Sequence, residues 1–315
     1  MSQDRELVYK RSSMNFPASP MALTLALLSS VVLVATQTLS AQDPGQPAPD
    51  QEVVLVTGST SGLGREVAIR LGALGWHVIV HGRNEERGIE VVKTINDQGP
   101  GSARFYRADL ASFEEVRAFG ESLLKDYQRM DVLVNNAGFG SAPNERLVSE
   151  DGHEFRFQVN YLSTFLLTHM LMPRLHSSAP SRIVNVSSLA QSPIDFEDVM
   201  IENNFSGGRA YGQSKLAQIM FTFDLDDELD GTGIMVNSLH PATYMPTGMV
   251  LRAGARPRAT IDEGADAVMQ LVVSDEIEGG QFFRGLLPAR ANAQAYDIQA
   301  RAKLKALSQE LTGIQ

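Results

Sequence analysis

Short apolar runs alternate with segments of helical length through most of this chain, and that alternation limits the folds open to it. Most of the runs are apolar along their whole length, which is typical of strands buried on both faces of a parallel sheet. The runs are VVLVT, HVIVHG, ARFYRA, DVLVN, RIVNVS and IMVNSLH. The pattern predicts a single α/β domain over residues 52–315, with a doubly wound parallel sheet of the Rossmann type and helices on both faces.

A glycine-rich turn follows the first of these runs. Gly58, Gly62 and Gly64 stand in TGSTSGLG, where the strand gives way to a helix. Without side chains there, the backbone can approach a pyrophosphate, and the N-terminus of the helix faces its negative charge. A glycine triplet alone is often only a tight turn, but its place after the first strand of an α/β pattern indicates a dinucleotide site. The predicted cofactor contacts are Gly58, Ser59, Thr60, Ser61, Gly62, Leu63 and Gly64.

The end of the second run indicates which dinucleotide is used. A fold that binds NAD usually has an acid at this point for the ribose hydroxyls. Here VHGRN has Arg83 and Asn84, and no acid before Glu85. Because an arginine suits a 2′-phosphate, the sequence predicts NADP rather than NAD, with Arg83 as its main contact and Asn84 close by. The alternative is that Arg83 is only a solvated residue at the end of a strand.

The segment YGQSK places Tyr211 four residues before Lys215. On a helix, residues with this spacing lie on one face about one turn apart. An ammonium beside a phenol lowers the pKa of the phenol from its usual value of about 10, so the pair could form a tuned proton donor. The spacing alone fits an ordinary surface pair equally well.

Four motifs occur in order along the chain. They are the glycine turn, RADL with Asp109 and Leu110, NNAG from Asn135 to Gly138, and IVNVSS followed by YGQSK. In this order the chain resembles the short-chain dehydrogenase/reductase family over residues 53–312. RFQVNYLSTFLLT and the C-terminal region look most similar to the branch that contains retinol dehydrogenases and protochlorophyllide reductases. One departure is Pro241-Ala242, where the family usually has Pro-Gly, and it concerns the loop on the nicotinamide side.

The resemblance implies a catalytic set. Tyr211 would donate a proton to a carbonyl oxygen, Ser188 would hold the same oxygen, and Lys215 would lower the pKa of Tyr211 and bind the nicotinamide ribose. Asn160 would be the fourth member, holding a water that links Lys215 to solvent; the alternative is an asparagine that only caps or kinks a helix. The further implied cofactor contacts are Asp109, Leu110, Asn136, Ala137, Gly138, Tyr211, Lys215 and Pro241.

Composition excludes several classes of function. The formal net charge of −10, with no basic stripe, argues against nucleic-acid binding. The chain has no cysteine, so disulfides, thiolate metal sites and cysteine nucleophiles are excluded. His169 and His176 lack an evident third ligand, and no metal site is predicted.

The first fifty residues differ from the rest. Met21 to Ala35 is a run of fifteen uncharged residues that follows basic residues and precedes small ones. This layout predicts a signal peptide or an N-terminal membrane anchor over residues 1–41, followed by a Pro-rich linker over residues 42–51. The enzyme is therefore expected in the periplasm or tethered to a membrane. A downstream start at Met21 would instead leave a cytoplasmic protein.

Three functions remain open at this stage. The first is an NADP-dependent oxidoreductase that interconverts an aldehyde or ketone and its alcohol; the second is an NADPH-dependent C=C reductase. The third is a non-catalytic dinucleotide-binding module, which would not need a tuned tyrosine. The expected partner is a small-molecule substrate, and a homo-oligomer is compatible with the sequence. Arg252, Arg256 and Arg258, in the segment where the family builds its substrate lid, are expected to face water rather than an anionic substrate.

Overall fold

The computed structural model describes residues 45–314. The predicted signal peptide or anchor, together with the start of the predicted linker, lies outside the described residues, so the assignments made there stay predictions. Within residues 45–314, no helix combines the length and the hydropathy that crossing a membrane requires.

The described residues contain one eight-stranded sheet with the strand order β3-β2-β1-β4-β5-β6-β7-β8. The six predicted strands, β1 to β6, pair in parallel, as predicted. The sequence analysis did not identify β7, which is parallel to β6, or β8, which is antiparallel to β7 because only Gly285 and Leu286 connect them. The strands are β1 (Val53–Val56), β2 (His77–Gly82), β3 (Ser102–Arg107), β4 (Val132–Asn135), β5 (Ser181–Val186), β6 (Ile234–His240), β7 (Gln281–Arg284) and β8 (Leu287–Ala289).

Helices cover both faces of the sheet. They are α1 (Gly62–Ala73), α2 (Glu85–Gln98), α3 (Phe113–Asp126), α4 (Phe155–Phe157), α5 (Ser163–Ser177), α6 (Gly207–Glu228), α7 (Gly248–Arg252), α8 (Ile261–Val273) and α9 (Ile298–Thr312). A π-helical turn (Gln158–Leu162) joins α4 to α5. One apolar core lies under α1, α2 and α8, and the other lies under α3, α5, α6 and α9. The predicted doubly wound fold with helices on both faces is confirmed.

Side chains cap the start of most of the longer helices. Asn84 accepts a hydrogen bond from the first turn of α2, Ser112 from that of α3, and Ser206 from that of α6. Thr260 and Glu263 form a complete capping box on α8. By contrast, Ser61 makes no side-chain cap on α1, and the first turn of α1 carries no acid. Backbone N–H groups at the start of α1 therefore remain available to another acceptor.

The strand order places the site. The chain runs from β1 outward to β3 on one side and then returns to β4 on the other side of β1. In open α/β sheets, the crevice at the carboxyl ends of the strands where the order reverses is the usual ligand site. The glycine turn after β1 and the NNAG segment after β4 both lie at this point.

Candidate active site

A cavity of about 1030 Å³ lies at the carboxyl edge of the sheet. Its walls bring together residues that are up to about two hundred positions apart in the chain. Those among the predicted site residues are Gly58, Thr60, Ser61, Gly62, Leu63, Gly64, Arg83, Asn84, Asp109, Leu110, Asn136, Ala137, Gly138, Ser188, Tyr211, Lys215 and Pro241. Two predicted residues, Ser59 and Asn160, are buried behind the walls.

The glycine turn packs directly against the NNAG segment. Gly58 has φ of +65°, and a Cβ at this position would lie 2.8 Å from the Cα of Ala137. A Cβ on Gly64 would lie 2.5 Å from the carbonyl oxygen of Gly58, so a side chain at either position is excluded. Asn136 fastens the contact, because its Nδ2 donates to the carbonyl oxygen of Thr57 at 2.9 Å. The two strand ends form a floor with an open backbone surface.

This floor fits the phosphates of a dinucleotide. The uncapped N-terminus of α1 lines the cavity at Gly62, Leu63 and Gly64, and a helix N-terminus with free N–H groups favours an anion. Arg83 and Arg87 line the same cavity. The described residues of this region therefore supply both backbone donors and positive charge for a phosphate-bearing cofactor.

Ser59 has a different position from the one the sequence suggests. It is fully buried, its Oγ donates to the carbonyl oxygen of Val56 at 2.7 Å, and its backbone N–H donates to the carbonyl oxygen of His81 at 2.9 Å. His81 in turn accepts a hydrogen bond from Gly58 N–H through its Nδ1 at 3.2 Å. Ser59 thus ties β1 to β2 under the turn instead of facing the cavity.

Arg83 lies at the end of β2 and is 61% exposed at its side chain. Its Nη1 donates to Asp109 Oδ2 at 3.2 Å, so the residue predicted to bind the 2′-phosphate contacts another predicted cofactor contact. Asn84 is used as the N-cap of α2, where its Oδ1 accepts from Arg87 N–H at 2.8 Å. Arg87, which sequence reasoning did not select, adds a second guanidinium on the same wall. Arg87 could have been found in the sequence from its position in the first turn of α2, four residues after Arg83.

Tyr211 and Ser188 meet in the cavity wall. Ser188 follows the end of β5, and Tyr211 lies on the second turn of α6, whose start is fixed by the Ser206 cap. The Ser188 hydroxyl lies near enough to the Tyr211 phenol to influence its pKa. Burial raises the pKa of the Tyr211 phenol above its usual value, and Ser188 acts in the opposite direction. The spacing argument predicted a lowered pKa because it counted the lysine charge but not the cost of desolvation.

Lys215 projects from α6 beside Tyr211, with its Nζ 5.9 Å from the centre of the tyrosine ring. The ammonium is almost fully buried and donates to the carbonyl oxygen of Val186 at 2.9 Å and to Gln218 Oε1 at 2.8 Å. Burial lowers the pKa of Lys215 to about 7. The predicted closeness of Tyr211 and Lys215 is therefore present, in a setting where the lysine charge depends on pH near neutrality.

Asn160 lies in the π-helical turn and is fully buried. Its Oδ1 accepts from Phe139 N–H at 2.6 Å, and its Nδ2 donates to the carbonyl oxygen of Phe139 at 3.0 Å and to Ser214 Oγ at 2.8 Å. Phe139 follows the NNAG segment and Ser214 precedes Lys215. The side chain therefore connects the two segments that carry Gly138 and Lys215, and the water-holding role stays a prediction.

A family model described as short chain dehydrogenase matches residues 52–257. The chain belongs to the short-chain dehydrogenase family. Retinol dehydrogenase 14 of Mus musculus is 36% identical over 94% of this chain and 98% of its own length. The Pseudomonas aeruginosa RhlG/NADP active-site complex matches 76% of this chain and 96% of its own at 26% identity and a TM-score of 0.61. A short-chain dehydrogenase of Shigella flexneri 2a str. 301 complexed with NADP matches 78% and 100% at 26% identity, with a TM-score of 0.59.

The protein is accordingly an oxidoreductase of the CH–OH group, and its family binds NAD(P). Two cavity-lining histidines of this short-chain dehydrogenase are poorly suited to proton donation. Burial, helped by Arg284, lowers the pKa of His240 to about 4, and burial lowers that of His81 to about 4. Both imidazoles are neutral at pH 7.

The loop after β6 tolerates the alanine of Pro241-Ala242. The residue with positive φ in this loop is Tyr244, at +53°, and Ala242 is not in the left-handed region, so its methyl group causes no backbone strain. The carbonyl oxygen of Tyr244 accepts from Arg258 N–H at 3.0 Å, and the Arg258 guanidinium lies 5.4 Å from the Tyr244 ring centre. These contacts join the two ends of residues 244–258.

Arg252 lines the cavity and is exposed to solvent, in agreement with the expectation that it faces water. The aromatic residues of the cavity were missed from the sequence. Phe139 and Phe155 also line it and pack edge to face with ring centres 4.9 Å apart. Together with Leu189 and Met249 they give this end of the cavity apolar walls. Sequence periodicity could not find these residues because they lie in loops or in helices of only three to five residues, which are too short to show a pattern.

Proposed function

We propose that this short-chain dehydrogenase interconverts an aldehyde or ketone and its alcohol, with NADP as cofactor and Tyr211 as general acid and base. The proposal rests on Tyr211, Ser188 and the buried Lys215, which line one dinucleotide-sized cavity together. Lys215 Nζ lies 5.9 Å from the centre of the Tyr211 ring.

A nicotinamide cofactor held in this cavity would supply or accept the hydride. In the reductive direction, negative charge develops on the carbonyl oxygen, and Tyr211 donates its proton there. The Ser188 hydroxyl stabilises the same oxygen and, after transfer, the phenolate. Lys215 in its ammonium form favours the phenolate and so lowers the cost of giving up the proton. In the oxidative direction the phenolate removes the proton from the alcohol.

Apolar walls support an apolar substrate. Phe139, Phe155, Leu189 and Met249 offer no charge and few hydrogen-bond donors to a ligand. A curated relative is named retinol dehydrogenase, which fits a long apolar alcohol. We therefore place apolar aldehydes and ketones, with retinal among them, ahead of small polar sugars.

The decisive experiment follows NADPH absorbance at 340 nm with a carbonyl panel. Apolar aldehydes, retinal, simple ketones and enones are offered to the purified protein, and products are identified by mass and by NMR. We expect oxidation of NADPH with formation of an alcohol. Saturation of a C=C bond with the carbonyl retained would assign the protein to C=C reduction instead, and an inactive panel despite tight NADPH binding would support a binding module.

Replacing Arg83 with alanine is expected to weaken NADPH binding roughly tenfold or more and to leave NADH binding nearly unchanged. A charge-assisted hydrogen bond of ~1.5 to 3 kcal/mol is lost, and only NADPH carries the 2′-phosphate. Dissociation constants for both cofactors are measured by fluorescence titration. Arg107→Ala, which removes a strand-end arginine outside the cavity wall, is the control. Equal losses for NADPH and NADH would assign Arg83 a structural role only.

A further inference from the structure

Gln218 lies one turn beyond Lys215 on α6 and is completely buried. Its Oε1 accepts a hydrogen bond from Lys215 Nζ at 2.8 Å. The orientation of the amide is fixed by chemistry, because an ammonium only donates and the oxygen must therefore face it. The amide Nε2 consequently points the other way, where the described residues offer it no acceptor.

An unpartnered buried N–H group is costly, and such groups are rare in folded proteins. A methionine of similar length would fill the same space without that cost. The described surroundings of Lys215 show what the glutamine supplies in return. Val186 and Gln218 are the acceptors of the ammonium, and the remaining N–H is free for a ligand on the cavity side.

We propose that Gln218 is a positioning residue that keeps Lys215 protonated and aimed at the bound cofactor. The inference rests on the proposed function, in which the ammonium of Lys215 acts on the nicotinamide ribose and on Tyr211. Through its oxygen, Gln218 stabilises the charged form of a lysine that has lost most of its water. The energetic cost of this orientation is that Gln218 Nε2 is buried without a hydrogen-bond acceptor among the described residues.

Of the groups that surround Lys215, Gln218 is the main side chain whose substitution can change the stability of the ammonium form. Tyr211 on α6 is the titratable side chain beside it, and its phenol is neutral at pH 7 because burial raises its pKa. From β5, the carbonyl oxygen of Val186 contacts Lys215 Nζ. The uncharged side chains of Asn160 and Met249 also lie near Lys215, around Gly138. Burial is the cause of the lowered pKa of Lys215, with no charged neighbour contributing.

The test uses the full-length protein and measures the NADPH dissociation constant by fluorescence between pH 5.5 and 9.5 in wild type, Gln218→Met and Gln218→Glu. Affinity should fall as pH rises through the pKa of Lys215, because the ammonium is lost. In Gln218→Met the midpoint should move down by about one pH unit or more, since a hydrogen bond to a charged group is removed. In Gln218→Glu the midpoint should move up, because a carboxylate stabilises the ammonium.

Gln213→Met is the matched control. Gln213 is a buried glutamine on the same helix, but its amide is satisfied by Asp195 N–H at 3.2 Å and the carbonyl oxygen of Val199 at 3.2 Å. This variant should lower the melting temperature more than Gln218→Met and leave the pH midpoint in place. Melting curves also establish that each variant folds; Gln218→Asn serves as the substitute if the methionine variant does not.

Shifts of opposite sign for methionine and glutamate would support the proposal. Equal midpoints in all variants, or shifts of the same sign, would overturn it, as would NADPH binding by the wild type that does not vary with pH. These outcomes are independent of turnover. If NADPH binds but no carbonyl is reduced, the proposed function fails while the role of Gln218 is still decided.

Discussion

Replacing Tyr211 with phenylalanine is expected to lower kcat by roughly a hundredfold or more, the usual contribution of a positioned general acid. The ring would still fill its place in the cavity wall, but the hydroxyl near Ser188 would be gone. NADPH affinity should stay near that of the wild type, since the ribose contact is assigned to Lys215. Steady-state kinetics with the best carbonyl of the panel and cofactor titration together measure both effects.

Tyr161→Phe is the control for that variant. Tyr161 is a buried tyrosine of the core whose hydroxyl bonds Ser308 Oγ at 2.7 Å, away from the cavity. Its loss should cost about 1 kcal/mol of stability and leave kcat close to wild type. Retained turnover in Tyr211→Phe would remove Tyr211 from the mechanism, whatever the effect of the control.

Replacing Arg156 with methionine is expected to lower the free energy of unfolding by about 3 to 5 kcal/mol. Arg156 and Glu154 are both fully buried and paired, with Nη1 3.1 Å from Oε1. The guanidinium also donates to the carbonyl oxygens of Gly140 at 2.9 Å and Ser141 at 3.1 Å, and to that of Pro143. Methionine would leave a buried carboxylate unpaired and these carbonyls without their donor. Urea unfolding followed by fluorescence measures the change.

The matched comparison is Arg209→Met, which breaks a half-exposed pair with Asp195 at 2.9 Å. It should cost at most about 1 kcal/mol. A double variant with Glu154→Gln and Arg156→Met should regain part of the stability, because the uncompensated charge is removed. A loss in Arg156→Met no greater than that in Arg209→Met would show that the buried pair is replaceable. Because the pair holds the segment after NNAG, we also expect a raised KM for the carbonyl substrate.

Sequence reasoning located the strands and the phosphate turn because those signals are local. Val53–Val56 is apolar throughout since both of its faces are buried, and Gly58 and Gly64 are required by contacts with Ala137 and the turn itself. The last two strands, β7 and β8, were missed because segments of four and three residues carry too little periodicity to signal a strand. The motif order also brought Ser188, Tyr211 and Lys215 to one cavity as anticipated.

Contacts between distant segments decided the rest. Ser59 and Asn160 are polar residues of the kind that line a cavity. Instead, the Ser59 hydroxyl donates to the carbonyl oxygen of Val56, and the Asn160 side chain accepts from Phe139 N–H. The pKa of Tyr211 moved opposite to the spacing argument because burial is a property of the packed molecule. The same holds for Lys215, whose lowered pKa arises from desolvation.

The sequence by itself determined the α/β layers, the switch point with its glycine turn, and the identity of the hydroxyl and ammonium groups at the site. These follow from periodicity, from steric exclusion at glycine and from residue chemistry, all of which act over a few neighbouring positions. Only the tertiary structure decided the directions in which the pKa values of Tyr211 and Lys215 shift, the orientation of Gln218 and the apolar walls. Those depend on which distant segments remove water from a group and which supply its hydrogen bonds.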